Sequence, residues 1–357
     1  MPVPRVLIFT TAYKPLIGGS ELALEEIAKR LPDVFFDIIT AQYGDAPAYE
    51  SRDNVAIHRI GSKWSLPLLG AIQGLKLAQE HSYATFHAFQ ASYGAVAGAL
   101  LSLVKPSVPF AVTLQEGKNL PVQNIFIKIV RNLVLKRASK ITAISNYLAN
   151  FARKVNSEAQ IAVIPNGVNA GKFKTKNEKR KTNSIITISR LVPKNGVDIL
   201  IRALFVIRYS LFVIGDGPER KKLENLARDL GVANRVDFIG SVPNEKISEY
   251  LRRAFVFARP SRSEGLGTAF LEAMAAGVPI IGTPVGGIPD FLKHEETGLL
   301  VPTENPEALA KAISRIYDDS GLRERIIANA LALVKEKYDW DKIAKQYYET
   351  LYNNSGI

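Results

Sequence analysis

Residues 260 to 287 read PSRSEGLGTAFLEAMAAGVPIIGTPVGG, with two glutamates, Glu264 and Glu272, separated by seven residues. The order is loop, acid, Gly-Leu-Gly, helix, Gly-Val-Pro, apolar run, Gly-Gly. Gly265 and Gly267 permit backbone conformations that a side chain forbids, so the chain can come close to a ligand. The composition of Thr268 to Ala276 predicts a helix, and Gly277 is placed to end it. The start of that helix offers unpaired backbone N–H groups and the positive end of a dipole, which suit a phosphate. Glu264 falls just before the helix and Glu272 roughly one turn into it. Both border one small site, where carboxylates accept hydrogen bonds from sugar or ribose hydroxyls. A solvent-facing helix start explains either glutamate alone, but not the loop, helix and Gly-Gly turn together.

Around this block, apolar β-rich runs alternate with helical stretches. Val6–Phe9, Phe35–Thr40, Val55–Ile60, Phe110–Leu114, Ile141–Ile144 and Ala162–Ile164 form one set of strands. Ser184–Ser189, Leu211–Ile214, Val236–Ile239, Val256–Ala258, Pro279–Gly282 and Gly298–Val301 form a second. Strand–helix alternation with continuous apolar strands means parallel sheets covered by helices on both faces. The expected fold class is therefore α/β, with two Rossmann-like doubly wound domains facing an interdomain cleft. The expected division is 1–170, 171–335 and a closing helical segment 336–357, with the basic run Lys172–Lys181 as a solvated linker.

Composition narrows the function. At 357 residues there is room for about two cores, and 47% hydrophobic residues with near-zero mean hydropathy fit a globular protein. No apolar run approaches a membrane span, and the N-terminus lacks a signal-peptide layout. The absence of cysteine excludes disulfides and thiolate chemistry. The four histidines show no metal-ligand spacing, so neither metal nor cofactor is expected. These features fit a cytoplasmic enzyme. The net charge of +12 is locally uneven: Gly117 to Ser157 holds eight Lys or Arg and no acid. Within it, Asn124 to Arg137 mixes apolar residues with cations. It reads either as a helix on an anionic membrane surface or as a core helix whose cations face water. No nucleic-acid motif accompanies the charge.

Further motifs fall at strand ends, where doubly wound sheets bind ligands. Gly18 and Gly19 form a flexible loop, with Ser20 a candidate helix cap. Arg190, in Ser-Arg-Leu, has a planar fork suited to phosphate. Gly215 and Asp216 lie in a Gly-Asp-Gly-Pro turn whose glycines are expected to clear space beside a ligand. Ser241 and Val242 follow a strand where backbone groups can read a nucleobase edge. Each is an ordinary turn by itself; in order, on one face, they point to a nucleotide-linked ligand. The one literal Asp-x-Asp, Asp339-Trp-Asp341, reads as a helix start and not as a metal site.

These residues resemble family four of the retaining glycosyltransferases, which have the GT-B fold. The resemblance runs through Pro15–Glu21, Ile164–Asn169, Ser189–Leu191, Val213–Pro218, Phe238–Pro243, the glutamate block and Tyr338–Tyr352. It implies a hexosyltransferase that moves a sugar from a UDP- or GDP-linked donor to a sugar or lipid-linked hydroxyl acceptor, with retention and without metal. By similarity Glu264 meets the donor sugar, the amides of Gly265, Leu266, Gly267 and Thr268 meet sugar and diphosphate, and Glu272 holds the ribose. Arg190 stabilises the diphosphate, which Gly18 and Gly19 approach from the other domain. The last helix is expected to return to the first domain. A peripheral place at the inner face of the membrane fits such an acceptor.

Two positions depart from the family pattern. Asn195 stands where a phosphate-binding lysine is expected, with Lys194 one place early; restoring lysine is expected to tighten diphosphate binding. After strand Phe110–Leu114, where relatives place a histidine, the chain has Gln115 and Glu116. Gln115 can donate a hydrogen bond but not a proton, while Glu116 can act as a base if burial raises its pKa. His87 is an alternative polar group. Two rival functions follow, a catalytically silent nucleotide-sugar-binding protein and a nucleotide-sugar epimerase.

Overall fold

Two compact units are built from the chain: Met1–Asn166 with Trp340–Ile357, and Gly167–Asp339. The computed structural model describes residues 3–16, 18–115, 124–173 and 183–353. The boundary falls four residues before the expected one, because Val168 already bridges to Asp339 and its N–H donates to the Tyr338 carbonyl at 2.7 Å.

The first unit holds eight strands: β1 Arg5–Phe9, β2 Phe35–Thr40, β3 Tyr49–Arg52, β4 Val55–Arg59, β5 Thr85–Phe89, β6 Phe110–Leu114, β7 Lys140–Ala143 and β8 Gln160–Val163. Their order in the sheet is β3-β4-β2-β1-β5-β6-β7-β8, all parallel except β3, which pairs antiparallel at the edge. Helices α1 Gly19–Arg30, α2 Leu66–Glu80, α3 Tyr93–Val104, α4 Ile125–Arg137 and α5 Asn146–Val155 connect them. The hydrophobic runs read from the sequence are these strands. β3 escaped notice because YESR is exposed throughout and carries no apolar pattern. β5 has the apolar signature, but its five residues include a histidine.

The second unit has six parallel strands: β9 Ser184–Ile188, β10 Ser210–Ile214, β11 Val236–Gly240, β12 Val256–Arg259, β13 Ile280–Gly282 and β14 Leu299–Leu300. Their order, β11-β10-β9-β12-β13-β14, reverses between β9 and β12. Such a reversal opens a crevice at the carboxyl ends of the two strands. Helices α6 Val197–Ala203, α7 Arg220–Asp229, α8 Asn244–Arg253, α9 Thr268–Ala275, α10 Pro306–Asp318 and α11 Ser320–Lys337 cover the sheet. Its core joins Ile185, Leu200, Leu211, Val213, Ile281 and Ile313, all buried.

The chain then returns to the first unit, as the resemblance implied. α12, Trp340–Tyr347, runs into a π-turn over Tyr348–Tyr352. Trp340, Ile343, Tyr347, Leu351 and Tyr352 share a core with Phe36, Ile38 and Phe89. Polar contacts fix the register: Thr85 Oγ1 donates to the Leu351 carbonyl at 2.6 Å, and His87 Nδ1 lies 2.9 Å from the Tyr352 hydroxyl. Asp341 pairs with Arg30 at 2.6 Å.

Candidate active site

The crevice between β9 and β12 gathers most of the residues singled out in the second unit. β9 leads into Ser189-Arg190, and the Arg190 side chain is exposed. β12 ends in Arg259, a buried arginine that pattern reading passed over. Its Nη2 donates to Glu264 Oε2 at 2.6 Å, its Nη1 to the Ile188 carbonyl at 3.2 Å, and its guanidinium lies 4.7 Å from the Phe270 ring centre. The backbone N–H of Gly265 donates to the other oxygen, Glu264 Oε1, at 3.0 Å. Both carboxylate oxygens are thus held, and each keeps a lone pair for a ligand hydroxyl. The only sequence signal for Arg259 is a cation closing an apolar strand.

Gly267 makes that arrangement possible. It caps α9 with φ of 92°, and a Cβ there would meet Arg259 Nη2 at 2.8 Å and Phe270 at 2.9 Å. Glu272 follows in the second turn of α9. It is half-buried, but the protein packed about its carboxyl pushes its pKa up to about 7, against the pull of Arg259 and Lys172. Desolvation raises the cost of the charged form, and the two cations only partly offset it. Arg259 is therefore electrostatically common to both glutamates, and Lys172 is a second cation missed in the sequence.

The neighbouring loops are bound to this centre. Arg262 makes two 2.8 Å bonds to Asp198, a 2.6 Å bond to the Pro193 carbonyl, and a pair with Glu304. The Lys194 carbonyl accepts from the Arg262 N–H at 2.7 Å. Asn195 is buried and its Nδ2 donates to the Arg190 carbonyl at 2.6 Å, so it props the arginine loop from beneath. A lysine there would break that bond and would have to leave its pocket, which reverses the expectation of tighter binding. The glycines of the Gly-Asp-Gly turn also have a different reason from the expected one. A Cβ on Gly215 would meet the Ser189 carbonyl oxygen at 2.0 Å, and one on Gly217 the Leu191 oxygen at 2.4 Å. They let two strand-end loops touch. Asp216 is exposed and accepts from the Gly217 N–H at 2.7 Å. Ser241 is exposed and Val242 half-buried after β11. The buried hydroxyls of Thr187, Ser189 and Ser261, and Arg259 Nε, have no protein partner.

In the first unit the order reverses between β1 and β5. Gly18 caps α1 and Gly19 begins it, so Ser20 lies inside the helix and not at its cap. Ser20 Oγ instead donates to Glu21 at 2.8 Å and accepts from Gln90 Nε2 at 2.6 Å. Gln115 exchanges two hydrogen bonds with Asn166, at 3.1 and 2.9 Å, tying β6 to the segment after β8. Glu116 lies outside the described residues. His87 is fully buried within β5, not after a strand; desolvation pushes its pKa down to about 3, and Nε2 meets Thr113 Oγ1 at 2.7 Å. It is a neutral core residue.

Residues 169–332 match the family model described as glycosyl transferases group 1, and residues 17–172 match that of glycosyltransferase family 4. A GDP-mannose-dependent alpha-(1-6)-phosphatidylinositol monomannoside mannosyltransferase of Mycobacterium tuberculosis is 30% identical, over 97% of this chain and 98% of the relative. An uncharacterised glycosyltransferase of Methanocaldococcus jannaschii is 29% identical, over 98% and 99%. Among solved structures, Anabaena HepE in complex with UDP and glucose is similar in fold, with a TM-score of 0.84 at 24% identity, covering 98% of this chain and 99% of HepE.

Proposed function

The chain belongs to glycosyltransferase family four and has the GT-B fold, and from that premise we propose that it moves a hexose from a UDP- or GDP-linked donor to a hydroxyl acceptor, with retention and without a metal ion. The observation that carries this reading is the buried Arg259, bonded to Glu264 and drawing on Glu272 at the β9/β12 crevice. A rigid carboxylate with one free lone pair per oxygen suits vicinal sugar hydroxyls. A second carboxylate in the next turn suits a ribose diol. The amides of Gly265 to Thr268, at the start of α9, together with Arg190, suit a diphosphate.

In the proposed reaction the bond from the sugar C1 to the leaving phosphate oxygen breaks while the acceptor oxygen bonds to C1 on the same face. The acceptor proton passes to the leaving phosphate. Negative charge grows on the diphosphate as the bond breaks, and donors already aimed there lower the barrier. His87 is a neutral core residue and Gln115 is bonded to Asn166, so neither is proposed as the base; the leaving phosphate takes that part in this reading.

The relative named for phosphatidylinositol monomannoside supports a lipid-linked acceptor, with which the proposed peripheral place at the membrane is consistent. No helix among the described residues is long and apolar enough to cross one. The reading is tested by following the anomeric signal of the product by NMR with UDP- and GDP-hexoses, with and without EDTA. An inverted product, or a rate abolished by EDTA, overturns it. A silent binding protein has one observation in its favour: Asn195, in the place of the lysine, serves only the loop. Slow donor hydrolysis without acceptor argues against that alternative.

A further inference from the structure

The loop that carries Glu264 also carries a second arginine, Arg262, which the transfer chemistry does not use. A guanidinium has five N–H donors in a fixed fork and no acceptor. In Arg262 the protein takes all five. Nε and one Nη2 hydrogen go to the Glu304 carboxylate. The other Nη2 hydrogen and one on Nη1 go to Asp198, each at 2.8 Å, and the last on Nη1 goes to the Pro193 carbonyl at 2.6 Å. No donor remains for a phosphate. Nor does the charge, because Asp198 and Glu304 together outweigh the one cation they pair with. Arg262 is thus built to hold protein and not ligand.

What it holds comes from three places along the chain. Pro193 belongs to the loop after β9, which also bears Arg190 and Lys194; Asp198 lies in the first turn of α6, and Glu304 follows β14. Arg262 stands two residues before Glu264. Its own N–H donates to the Lys194 carbonyl at 2.7 Å, and Asn195 Nδ2 carries the connection on to the Arg190 carbonyl. The two loops also meet backbone to backbone: Gly196 has φ of 68°, and a Cβ there would meet the Pro260 carbonyl oxygen at 2.0 Å. Glu304 has φ of 57°, a strained conformation that persists where the surroundings over-determine it, and its carboxylate takes two of the five bonds. We propose that Arg262 is a positioning residue for the donor diphosphate, clamping the Arg190 loop and the Glu264 loop into one cradle before the donor arrives. A cradle already ordered binds without the cost of ordering two loops, so loss of the clamp is felt first as weaker binding. This rests on the reading that a nucleoside diphosphate lies in the crevice.

The test is calorimetric titration of the full chain and of Arg262→Gln with UDP and with GDP, beside kcat and KM for donor hydrolysis with UDP- and GDP-hexoses. The parent is expected to bind at least one of the two diphosphates. Arg262→Gln is expected to bind it about tenfold more weakly, with KM for the donor raised by a similar factor and kcat changed less. A residue that only supports the fold would instead lower the melting temperature and the active fraction, hence kcat, at unchanged Kd and KM. Asp198→Asn removes a charge from the clamp and keeps its shape, and it carries the test where Arg262→Gln does not fold. It is expected to show the same shift in smaller measure, and the double variant no more than Arg262→Gln alone. Parent values of Kd and KM in folded Arg262→Gln, or in Asp198→Asn if Arg262→Gln does not fold, overturn the proposal and leave the donor reading standing. Full additivity of the two substitutions does the same. A parent that binds neither UDP nor GDP overturns the donor reading, and the proposal with it.

Discussion

The two units share one strand pattern and use their side chains in opposite ways. In the second, exposed large apolar residues among those described are confined to Phe205, Val206, Tyr317 and Leu331, while the crevice holds a buried ion pair, a raised carboxyl and orphaned hydroxyls. In the first, Gln90 bonds to Ser20 across the corresponding reversal point, Gln115 bonds to Asn166 beyond the ends of β6 and β8, and the apolar surplus lies on the helices outside. A Rossmann-like sheet does not dictate which of its surfaces bears the cost of function. One unit keeps charge inside, where it is expensive and reactive; the other keeps apolar surface outside, where it is expensive and adhesive.

The largest expected effect tests the charged interior. Glu264→Gln keeps the shape and an acceptor for Arg259 but weakens the grip on sugar hydroxyls. Transfer should fall by a factor on the order of 10²–10³ in kcat/KM, read by donor turnover, with little change in melting temperature. Parent-like turnover would remove Glu264 from the site. Glu264→Ala goes further, because it leaves the Arg259 charge buried and unpaired. A loss of about 3 kcal/mol in urea unfolding is expected, and Arg259→Leu in the same chain should recover part of it. Simple additivity would mean that the pair is not a unit.

Glu272 gives the next effect. Its folded pKa is raised, so the folded state holds the proton more tightly than the unfolded state between 4.5 and about 7. Stability of the ligand-free protein should therefore fall as pH rises through that window, by about 3 kcal/mol at most, and Glu272→Gln should flatten the curve. A slope of the opposite sign contradicts the assignment. The smallest effect concerns the loop prop. Asn195→Lys forfeits the bond to the Arg190 carbonyl and should cost about 1–2 kcal/mol while weakening diphosphate binding in calorimetry. Tighter binding would show that the loop can open to the family's geometry.

Much of this was legible before any coordinates. Parallel strands buried on both sides must be apolar throughout, so β1, β2, β6, β9 and β10 announce themselves. The glutamate block carries its own punctuation, two acids with a glycine turn and a helix between. Arg259 and Lys172 were not legible, since a cation gains its meaning from the carboxylate it meets across the fold. The same holds for Gly215 and Gly217, whose need for hydrogen in place of a side chain comes from carbonyls more than twenty residues earlier. Of the exposed apolar residues on the first unit's helices, only those of α4 showed themselves, through cations set among isoleucines. Leu68, Leu103 and Val104 look like core residues until the helices are seen edge to edge.

The return of the last helix has a consequence for synthesis. On the ribosome the second unit, 167–339, emerges whole and can fold as soon as it is clear. The first unit, although made earlier, still lacks the strip from Trp340 to Tyr352 that buries Phe36 and Phe89. Until the strip from Trp340 to Tyr352 has been made and has docked, the first unit waits with an open core. Truncation there should harm the earliest-made part of the chain most, and a tag fused behind Tyr352 should report on the folding of residues synthesised some three hundred positions before it.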